Sequence, residues 1–406
     1  MNPERDEALP FFSQGALIVS LALLALYGVT LSPGPFPGLS AELTAKYAGI
    51  HPVPPAAHPI WWIAVQGLRR VPFVPLSLLL NAFSALCGAL AGGLLYDLLR
   101  HVAHDRTTEE HQARFNESAA RRVSGLTAAV FFGLAPGVWI LATRAHFLLF
   151  DACLLLAVVR LLPHSRDTEA RGLPHLALLL LGLSLAEFPT TALAAPFLVL
   201  WLWWLLWRSG DMASSGQSPF GGLLKWAPLS AVLILLGFLP LLVYALLYRR
   251  SPVFQWMPPP TLAYLLRSMG RQYWGALSGS VQRLGWLLVL MTSVVPALAV
   301  FLPFRQASGR QRRFSLLLHL LLLLVGGVLY AVIHLRLWPR LVQGPPFVTP
   351  YVLIAAWFGY VAGYVWALGT RRSESARRGV PPGLRRALAF GIVGLLLPGA
   401  AAASIY

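Results

Sequence analysis

Long apolar segments separated by shorter polar ones dominate this sequence from residue 12 onward. Eleven of them have, or nearly have, the roughly 20 residues that an α-helix needs to cross a bilayer core. The pattern predicts an all-α polytopic membrane bundle of about eleven transmembrane helices. The predicted segments are 12–31, 75–99, 123–142, 147–162, 175–187, 189–207, 223–247, 284–304, 314–334, 350–369 and 386–405.

The composition supports a membrane protein, because 57% of the residues are hydrophobic and only 12% are charged. The mean hydropathy is +0.66, and no polar stretch between the apolar segments is long enough for a soluble domain. We therefore expect residues 1–406 to form a single integral membrane domain, with two long outer loops at 32–74 and 249–283.

The formal net charge of +17 comes almost wholly from arginine, since Lys46 and Lys225 are the only lysines. In a soluble protein this charge would suggest nucleic-acid binding, but basic loop residues in a membrane protein fix its topology. No nucleic-acid partner is predicted. A cytoplasmic N-terminus puts roughly twice as many Lys and Arg residues inside as outside, which predicts an N-in, C-out topology.

This topology leaves three acidic residues toward the outer face. Glu42 lies in the first outer loop, Asp151 about one turn into the fourth segment, and Glu187 at the turn after the fifth. An acid at membrane depth is costly unless it is paired, so each is a candidate functional residue. A structural pair with Arg144 or His146 is the alternative role for Asp151.

Each outer loop contains prolines followed by the pattern of a short helix. In the first loop, AAHPIWWIAVQGLRR predicts an amphipathic helix that begins near Pro59. We expect Trp61 and Trp62 on that helix to lie at the lipid headgroups. In the second loop, a helix is predicted from Thr261 onward.

An outward cavity with arginine, carboxylate and aromatic side chains suits a lipid-linked anionic substrate. Arginine binds phosphate through paired hydrogen bonds, while aromatic and aliphatic groups hold sugar faces and isoprenoid tails. Arg267 and Arg271 share one helical face, and we expect at least one to contact a donor phosphate; lipid headgroups are the alternative partners. The candidate substrate-binding residues are Arg144, Glu187, Trp256, Arg267, Arg271, Gln272 and Tyr273.

The outer histidines form only a weak metal-binding pattern. His51 and His58 share the first outer loop, and His146 lies in a later outer turn, but no helical spacing, cysteine or HExxH motif accompanies them. No metal site is predicted. The sequence also lacks a glycine-rich phosphate loop, a Gly-x-Ser-x-Gly motif and the paired intramembrane charges of an ion-coupled transporter.

The order of several motifs resembles a bacterial family of multi-pass proteins related to the protein O-mannosyltransferases. In that family an Asp-x-Gly-Glu stretch precedes a His-Pro segment and an Asn-containing helix; here GLSAEL, AAHPIWW and LLLNAFSALCGALAGGLLYDLLR follow in that order. WILATRAHFLLFDA is similar to a later turn, and WMPPPTLAYLLRSMGRQYWG to the second outer loop. The resemblance covers about residues 12–290 and implies the GT-C glycosyltransferase fold.

The sequence departs from this family at several polar positions. The first acid of the loop falls on Leu39 and the glycine on Ala41, so only the second acid is kept, as Glu42. The glutamate of the turn between the third and fourth segments falls on His146, and an Asn-His pair falls on residues 187–188. The resemblance implies that a first-loop acid is the general base for the acceptor hydroxyl, which makes Glu42 the expected base.

Glu42 is also the only acid in either long outer loop, and prolines on both sides restrict its backbone. His58 or His146 would orient it or act as the base, because an imidazole pKa lies near neutrality. A surface pair with Lys46, four residues on, is the alternative role for Glu42. The candidate catalytic residues are Glu42, His58, His146 and Asp151.

The resemblance implies a membrane glycosyltransferase that moves a sugar from a polyprenyl-phosphate donor to a hydroxyl on a protein or glycan at the outer face. Its expected partners are the lipid bilayer, the lipid-linked donor and that acceptor, with no separate cofactor. Its expected location is the bacterial inner membrane. Because Leu39 replaces the first acid, the alternative is a non-catalytic GT-C-like protein that binds a lipid-linked glycan or a partner subunit.

The predicted topology can be tested by cysteine labelling in sealed cells. Cys87 and Cys153 are replaced, and Ala48→Cys or Arg310→Cys is then introduced singly. A membrane-impermeant maleimide should label position 48, which is predicted to face outward, and should not label position 310. Equal labelling of both positions would contradict the topology.

Overall fold

The computed structural model of the protein consists of α-helices joined by turns and loops, and the part of the chain that it describes contains no strand. The predicted all-α class is confirmed. The described residues are 12–48, 58–102, 117–167, 173–187, 191–192, 195–196, 198–200, 202, 219–250, 260–284 and 348–369.

The helices within these ranges follow the predicted apolar segments and add helices in the two long loops that are predicted to face outward. In chain order they are α1 Gln14–Val29, α2 Leu39–Tyr47, α3 Pro59–Leu68, α4 Leu76–His101, α5 Glu117–Leu134, α6 Pro136–Ala142, α7 Leu148–Asp167, α8 Leu173–Glu187, α9 Pro219–Gly237, α10 Leu239–Arg249, α11 Leu262–Leu284 and α12 Thr349–Gly369.

Three helical stretches in the described residues are long and apolar enough to cross a membrane: Leu76–His101, Trp226–Arg249 and Thr349–Ala367. Helices α1 and α8 are apolar but shorter. These helices confirm a membrane protein. The predicted segments 314–334 and 386–405 lie outside the described residues, and so does 284–304 except for its first residue. The count of eleven transmembrane helices therefore stays a prediction.

The predicted segment 123–142 is not a single straight helix. Ser118–Leu134 and Pro136–Ala142 together are long enough for a fourth span, but they meet at an angle of 68°. Pro136 is the first residue of α6, and proline lacks the N–H that would continue the hydrogen-bond ladder of α5. Pro136 therefore explains the break, which the length of the apolar segment alone does not predict.

The chain divides into two compact units. The described residues of the first unit belong to Thr30–Cys87 and Leu141–Pro296, and those of the second belong to Phe12–Val29, Gly88–Ile140 and Ala297–Tyr406. The expectation of a single integral domain is not tested by this division and stays a prediction.

The second unit is held together by close helix packing. Helix α12 lies along α5, and Gly359 faces Ala128, where an added Cβ would be only 2.8 Å from the alanine Cβ. Small residues at such contacts let helix backbones approach closely in a membrane. The start of α1 is fixed by Asp97 of α4, whose carboxylate accepts the Ser13 backbone N–H at 2.8 Å and its hydroxyl at 2.5 Å.

In the first unit, α3 is packed by α2, α8 and α10. The predicted helix near Pro59 is confirmed, but the expected position of Trp61 at the headgroups is wrong. Trp61 is fully buried, with its ring centroid 5.0 Å from that of Phe83 and 6.1 Å from that of Phe150. Trp62 is half-buried and meets the ring of Tyr244 edge-on. Burial of this aromatic face makes α3 part of the protein core.

The first outer loop is fastened at its beginning by Asn81 of α4. The Asn81 side-chain amide donates to the carbonyls of Ser32 and Gly34 at 2.8 and 3.1 Å. The Ser32 N–H in turn donates to the carbonyl of Thr143 at 3.1 Å. Because these bonds join segments distant in sequence, they bring the start of the loop to the turn that precedes α7.

A pair of glycines sets the distance between α8 and α9 in the first unit. A Cβ added to Gly237 would lie 2.6 Å from the Cα of Gly182, closer than any real contact of this kind. The α8 end that carries Glu187 is thus held by a helix contact in which neither partner has room for a side chain.

We expect Gly182→Leu to destabilise the protein by on the order of 1–3 kcal/mol, because the new side chain must push α8 and α9 apart. Gly270→Leu is the matched control: Gly270 lies inside α11, and a Cβ there meets no described atom within 4 Å. The apparent Tm of both variants in detergent measures the effect. Equal Tm values for the two variants would show that the glycine contact does not limit the packing.

Candidate active site

Three predicted site residues from three different elements converge in the first unit. His58 immediately precedes α3, Asp151 lies in the first turn of α7, and Glu187 is the last residue of α8. Nδ1 of His58 is 3.6 Å from Oε1 of Glu187 and 4.0 Å from Oδ2 of Asp151. The sequence separates these residues by up to 129 positions, and we refer to them as the acid–histidine cluster.

Glu187 caps the N-terminus of α3. Its Oε2 accepts the Ile60 N–H at 2.7 Å, and the Trp61 N–H lies 3.3 Å from each carboxylate oxygen. The first N–H groups of a helix have no partner within the helix and form a positive end, which favours a carboxylate there. The fully buried Glu187 therefore has a positioning role, and its expected contact with substrate stays a prediction.

The imidazole of His58 is fixed by Phe147. The two rings stack with their centroids 3.5 Å apart and their planes 21° from parallel. The carbonyl of Phe147 also accepts the Asp151 N–H at 3.1 Å, so one turn of chain positions both partners of the histidine. The side chain of His58 is 13% exposed against 3% for Asp151 and 0% for Glu187, so His58 forms the accessible edge of the cluster.

Asp151 is the acid of the cluster whose hydrogen-bonding capacity is unused among the described residues, as is that of Nδ1 of His58. Both carboxylate oxygens are buried, and neither has a hydrogen-bond partner among the described residues. The alternative role in a pair with Arg144 or His146 is therefore not what the structure shows: the Arg144 guanidinium lies 3.3 Å from the centre of the Phe36 ring. A buried polar group without a partner costs free energy, and such groups often have a functional explanation.

His146 positions the start of α7. Its backbone N–H and C=O both bond the Ser84 hydroxyl, at 3.0 and 3.1 Å, and its Nδ1 accepts the Leu148 N–H at 3.2 Å. Burial, and to a smaller extent the nearby charge of His58, lowers the pKa of His146 to about 3. A neutral ring with Nδ1 already engaged is suited to orienting α7, while its predicted catalytic role stays untested by this geometry.

Glu42 is exposed in the first turn of α2. Burial lowers the pKa of Lys46, and the charge of Glu42 opposes that shift. The alternative role of Glu42 in a surface pair with Lys46 stays a prediction. Leu39, at the position of the family's first acid, packs against an apolar cluster that includes Leu43 and Trp61. A carboxylate at that position would meet hydrocarbon rather than a polar site.

Tyr47 is a site residue that the sequence analysis missed. It is buried at the end of α2, and its pKa is raised first by burial and then by the charges of Glu187, Tyr244 and Asp151. The phenol therefore lies within electrostatic range of both acids of the cluster. The helical spacing of Ser40, Leu43 and Tyr47, all buried, is the signal that would have indicated its inward direction.

The predicted helix from Thr261 is confirmed, since the Thr261 hydroxyl accepts the Tyr264 N–H at 3.2 Å at the start of α11. Arg267 and Arg271 are both exposed on this helix. Their contact with a phosphate stays a prediction. Of the other candidates in this loop and the first, Gln272 and Tyr273 are half-buried, whereas Trp256 and His51 lie outside the described residues.

Comparison with known proteins finds one family that covers the cluster. Residues 42–210 match the family model described as the N-terminal domain of the protein O-mannosyl-transferase TMEM260. This range is less than half of the chain, and it contains Glu42, His58, Asp151 and Glu187. No curated protein and no solved structure matches the chain.

The low pKa of His146 predicts a loss of stability in acid. Below the ordinary value of 6.5 the unfolded chain takes up a proton that the folded protein, with a pKa of about 3, does not bind. Folding is therefore destabilised as pH falls, by about 2 kcal/mol at pH 5. His146→Asn keeps an acceptor oxygen near the position of Nδ1 for the Leu148 N–H, and it should flatten the fall in apparent Tm between pH 7 and pH 5. An unchanged slope would show that another group causes it.

Proposed function

We propose, from the relation of this chain to the protein O-mannosyltransferases, that it is a membrane glycosyltransferase. Its donor is a polyprenyl-phosphate sugar, and its acceptor is a hydroxyl on a protein or glycan at the outer face. The observation that carries the proposal is the buried acid–histidine cluster, which lies wholly inside the matched range. General acid–base groups of this kind are what transfer to a hydroxyl requires.

We assign Asp151 as the general base in this reaction. Glu187 is engaged by the backbone of α3, whereas both oxygens of Asp151 are free to accept a proton within the described structure. The acceptor hydroxyl approaches along the accessible ring of His58 and gives its proton to Asp151. The acceptor oxygen then bonds to the anomeric carbon of the donor sugar. The bond from that carbon to the phosphate oxygen breaks at the same time, and the lipid phosphate leaves.

Arg144 is the best-supported phosphate ligand in the described structure. Its Nη1 is buried without a hydrogen-bond partner there, and the guanidinium is held on the face of Phe36. A guanidinium placed against the leaving phosphate stabilises the charge that develops on it. Arg267 and Arg271 remain the further phosphate ligands proposed for the second outer loop.

The predicted topology agrees with this site. Loop charges place His58, Asp151 and Glu187 on the outer side of the membrane, and the structure brings these same residues together. The agreement concerns only the placement of the three residues on one side; the GT-C arrangement of about eleven spans with a cytoplasmic N-terminus is proposed on the sequence pattern and the resemblance. We further propose the bacterial inner membrane as its location, on the resemblance of the sequence.

A non-catalytic relative that binds a lipid-linked glycan or a partner subunit is the second candidate. It is favoured by Leu39, which packs into an apolar cluster at the position where the family has an acid. Transfer of labelled sugar from a polyprenyl-phosphate donor by the purified protein decides between the two candidates. A protein that binds the donor without turnover would support the non-catalytic alternative.

Asp151→Asn should lower kcat by at least about a hundredfold, because the amide cannot take the acceptor proton. Donor affinity, measured with the same labelled substrate, should stay within about threefold, since the amide keeps nearly the same shape. Glu42→Gln tests the rival base predicted by the sequence.

Asp97→Asn is the matched control, because Asp97 is also a buried carboxylate but is bonded to Ser13 in the second unit. It should lower the Tm while each folded molecule keeps its turnover. If Glu42→Gln abolishes transfer and Asp151→Asn does not, the base is Glu42 and the assignment of Asp151 is wrong.

A further inference from the structure

We propose that His58, Asp151 and Glu187 form a binding site for a divalent transition-metal ion, with Zn²⁺ as the best fit. One ligand atom from each of the three side chains lies within 4.8 Å of the others. Metal binding is a property separate from the proposed transfer reaction, because it can be measured in the absence of any sugar donor or acceptor.

The distances are close to those of a metal site. Two ligands at about 2.1 Å from zinc and at the tetrahedral angle are about 3.4 Å apart. Nδ1 of His58 and Oε1 of Glu187 are 3.6 Å apart and already fit this spacing. Oδ2 of Asp151, 4.0 Å from the same nitrogen, needs to approach it by about 0.6 Å, and the ligand atoms of the cluster, which lie within 4.8 Å of one another, must all close to this spacing. No hydrogen bond from a described residue opposes a side-chain rotation of Asp151, since neither of its oxygens is engaged.

The charges of the cluster also favour an ion of charge +2. Asp151 and Glu187 are both buried, and the salt-bridge partner that the described residues offer to each of them is His58. A protonated histidine would balance one of the two negative charges, whereas a divalent ion balances both. A bound cation is the largest local charge in such a site and removes the repulsion between neighbouring carboxylates.

The surroundings of the ligands hold them in position before any ion binds. The Ile60 N–H engages Oε2 of Glu187, while Oε1, which the Trp61 N–H approaches at 3.3 Å, lies 3.6 Å from Nδ1 of His58. The Phe147 ring fixes the plane of the imidazole. Hydrogen bonds and contacts of this second layer orient metal ligands and typically change metal affinity by about 10–100-fold when they are removed.

The ligand set indicates the class of ion. One imidazole nitrogen with two carboxylate oxygens suits Zn²⁺, whereas Mg²⁺ prefers oxygen ligands alone and keeps most of its water. Three protein ligands leave a fourth position open, as in catalytic zinc sites. If the proposed transfer reaction holds, Asp151 gives one oxygen to the ion and keeps the other for the acceptor proton.

The test uses the full chain, purified in detergent, stripped with a chelator and dialysed against Zn²⁺. Mass spectrometry should find about one zinc ion per chain, and competition with a chelator gives the affinity. His58→Gln, Asp151→Asn and Glu187→Gln should each weaken binding at least about tenfold, because each removes a ligand. Equimolar Mg²⁺ should not displace the ion.

His175→Gln is the matched control, because it removes an imidazole that contacts Trp226 rather than the cluster. It should keep the zinc content of the wild type. X-ray absorption of the zinc-loaded wild type gives an answer that needs no variant to fold: the proposal requires nitrogen and oxygen ligands at about 2.0–2.2 Å and no sulfur.

A wild-type protein without stoichiometric zinc, a sulfur ligand, or undiminished affinity in all three ligand variants would overturn the site. Transfer activity is a separate measurement with a separate meaning. Sugar transfer by zinc-free protein would leave the proposed function standing without the ion. Stoichiometric zinc in a protein that transfers no sugar would leave the metal site standing without the function.

Discussion

The carboxylate of Glu187 at the N-terminus of α3 is the interaction on which the candidate site depends. It ties the end of one apolar helix to the beginning of another, across 127 residues of sequence. Without that acceptor the first N–H groups of a buried helix would lack partners, at a cost of about 1–3 kcal/mol each. The same bond places His58, which directly precedes α3, beside the acid. The contact that caps α3 therefore also assembles the site.

The site is a small group of polar side chains surrounded by apolar ones. Trp61, Phe83 and Phe150 form a continuous aromatic contact on one side of α3, and Phe147 stacks on the imidazole of His58. Such surroundings exclude water and strengthen every electrostatic interaction among the groups they enclose. They also make an unengaged carboxylate such as Asp151 expensive to keep, which is why a proton, an ion or a substrate is its natural partner.

The sequence predicted more of the site's composition than of its geometry. The sequence selected Asp151 and Glu187 because the predicted topology places them toward the outer face, and because an acid at membrane depth is rare and costly unless it is paired. The predicted headgroup position of Trp61 was wrong because tryptophan is typical both of headgroup regions and of buried aromatic contacts. The sequence shows that an apolar residue, Leu39, stands where the related family has an acid. Only the structure shows that this position packs against apolar side chains, which an acid there would contact.

By itself the sequence determined the class of the protein: a helical membrane protein whose two long loops contain helices that begin near Pro59 and Thr261. Apolar length, proline position and a capping hydroxyl are local properties, and neighbouring residues suffice to set them. Only the tertiary structure decided that Glu187 caps α3, that His146 holds α7, and that Glu42 stays exposed at the edge of α2. Those outcomes depend on which helices pack against one another. The residues that neighbour each position in the sequence do not specify that long-range packing.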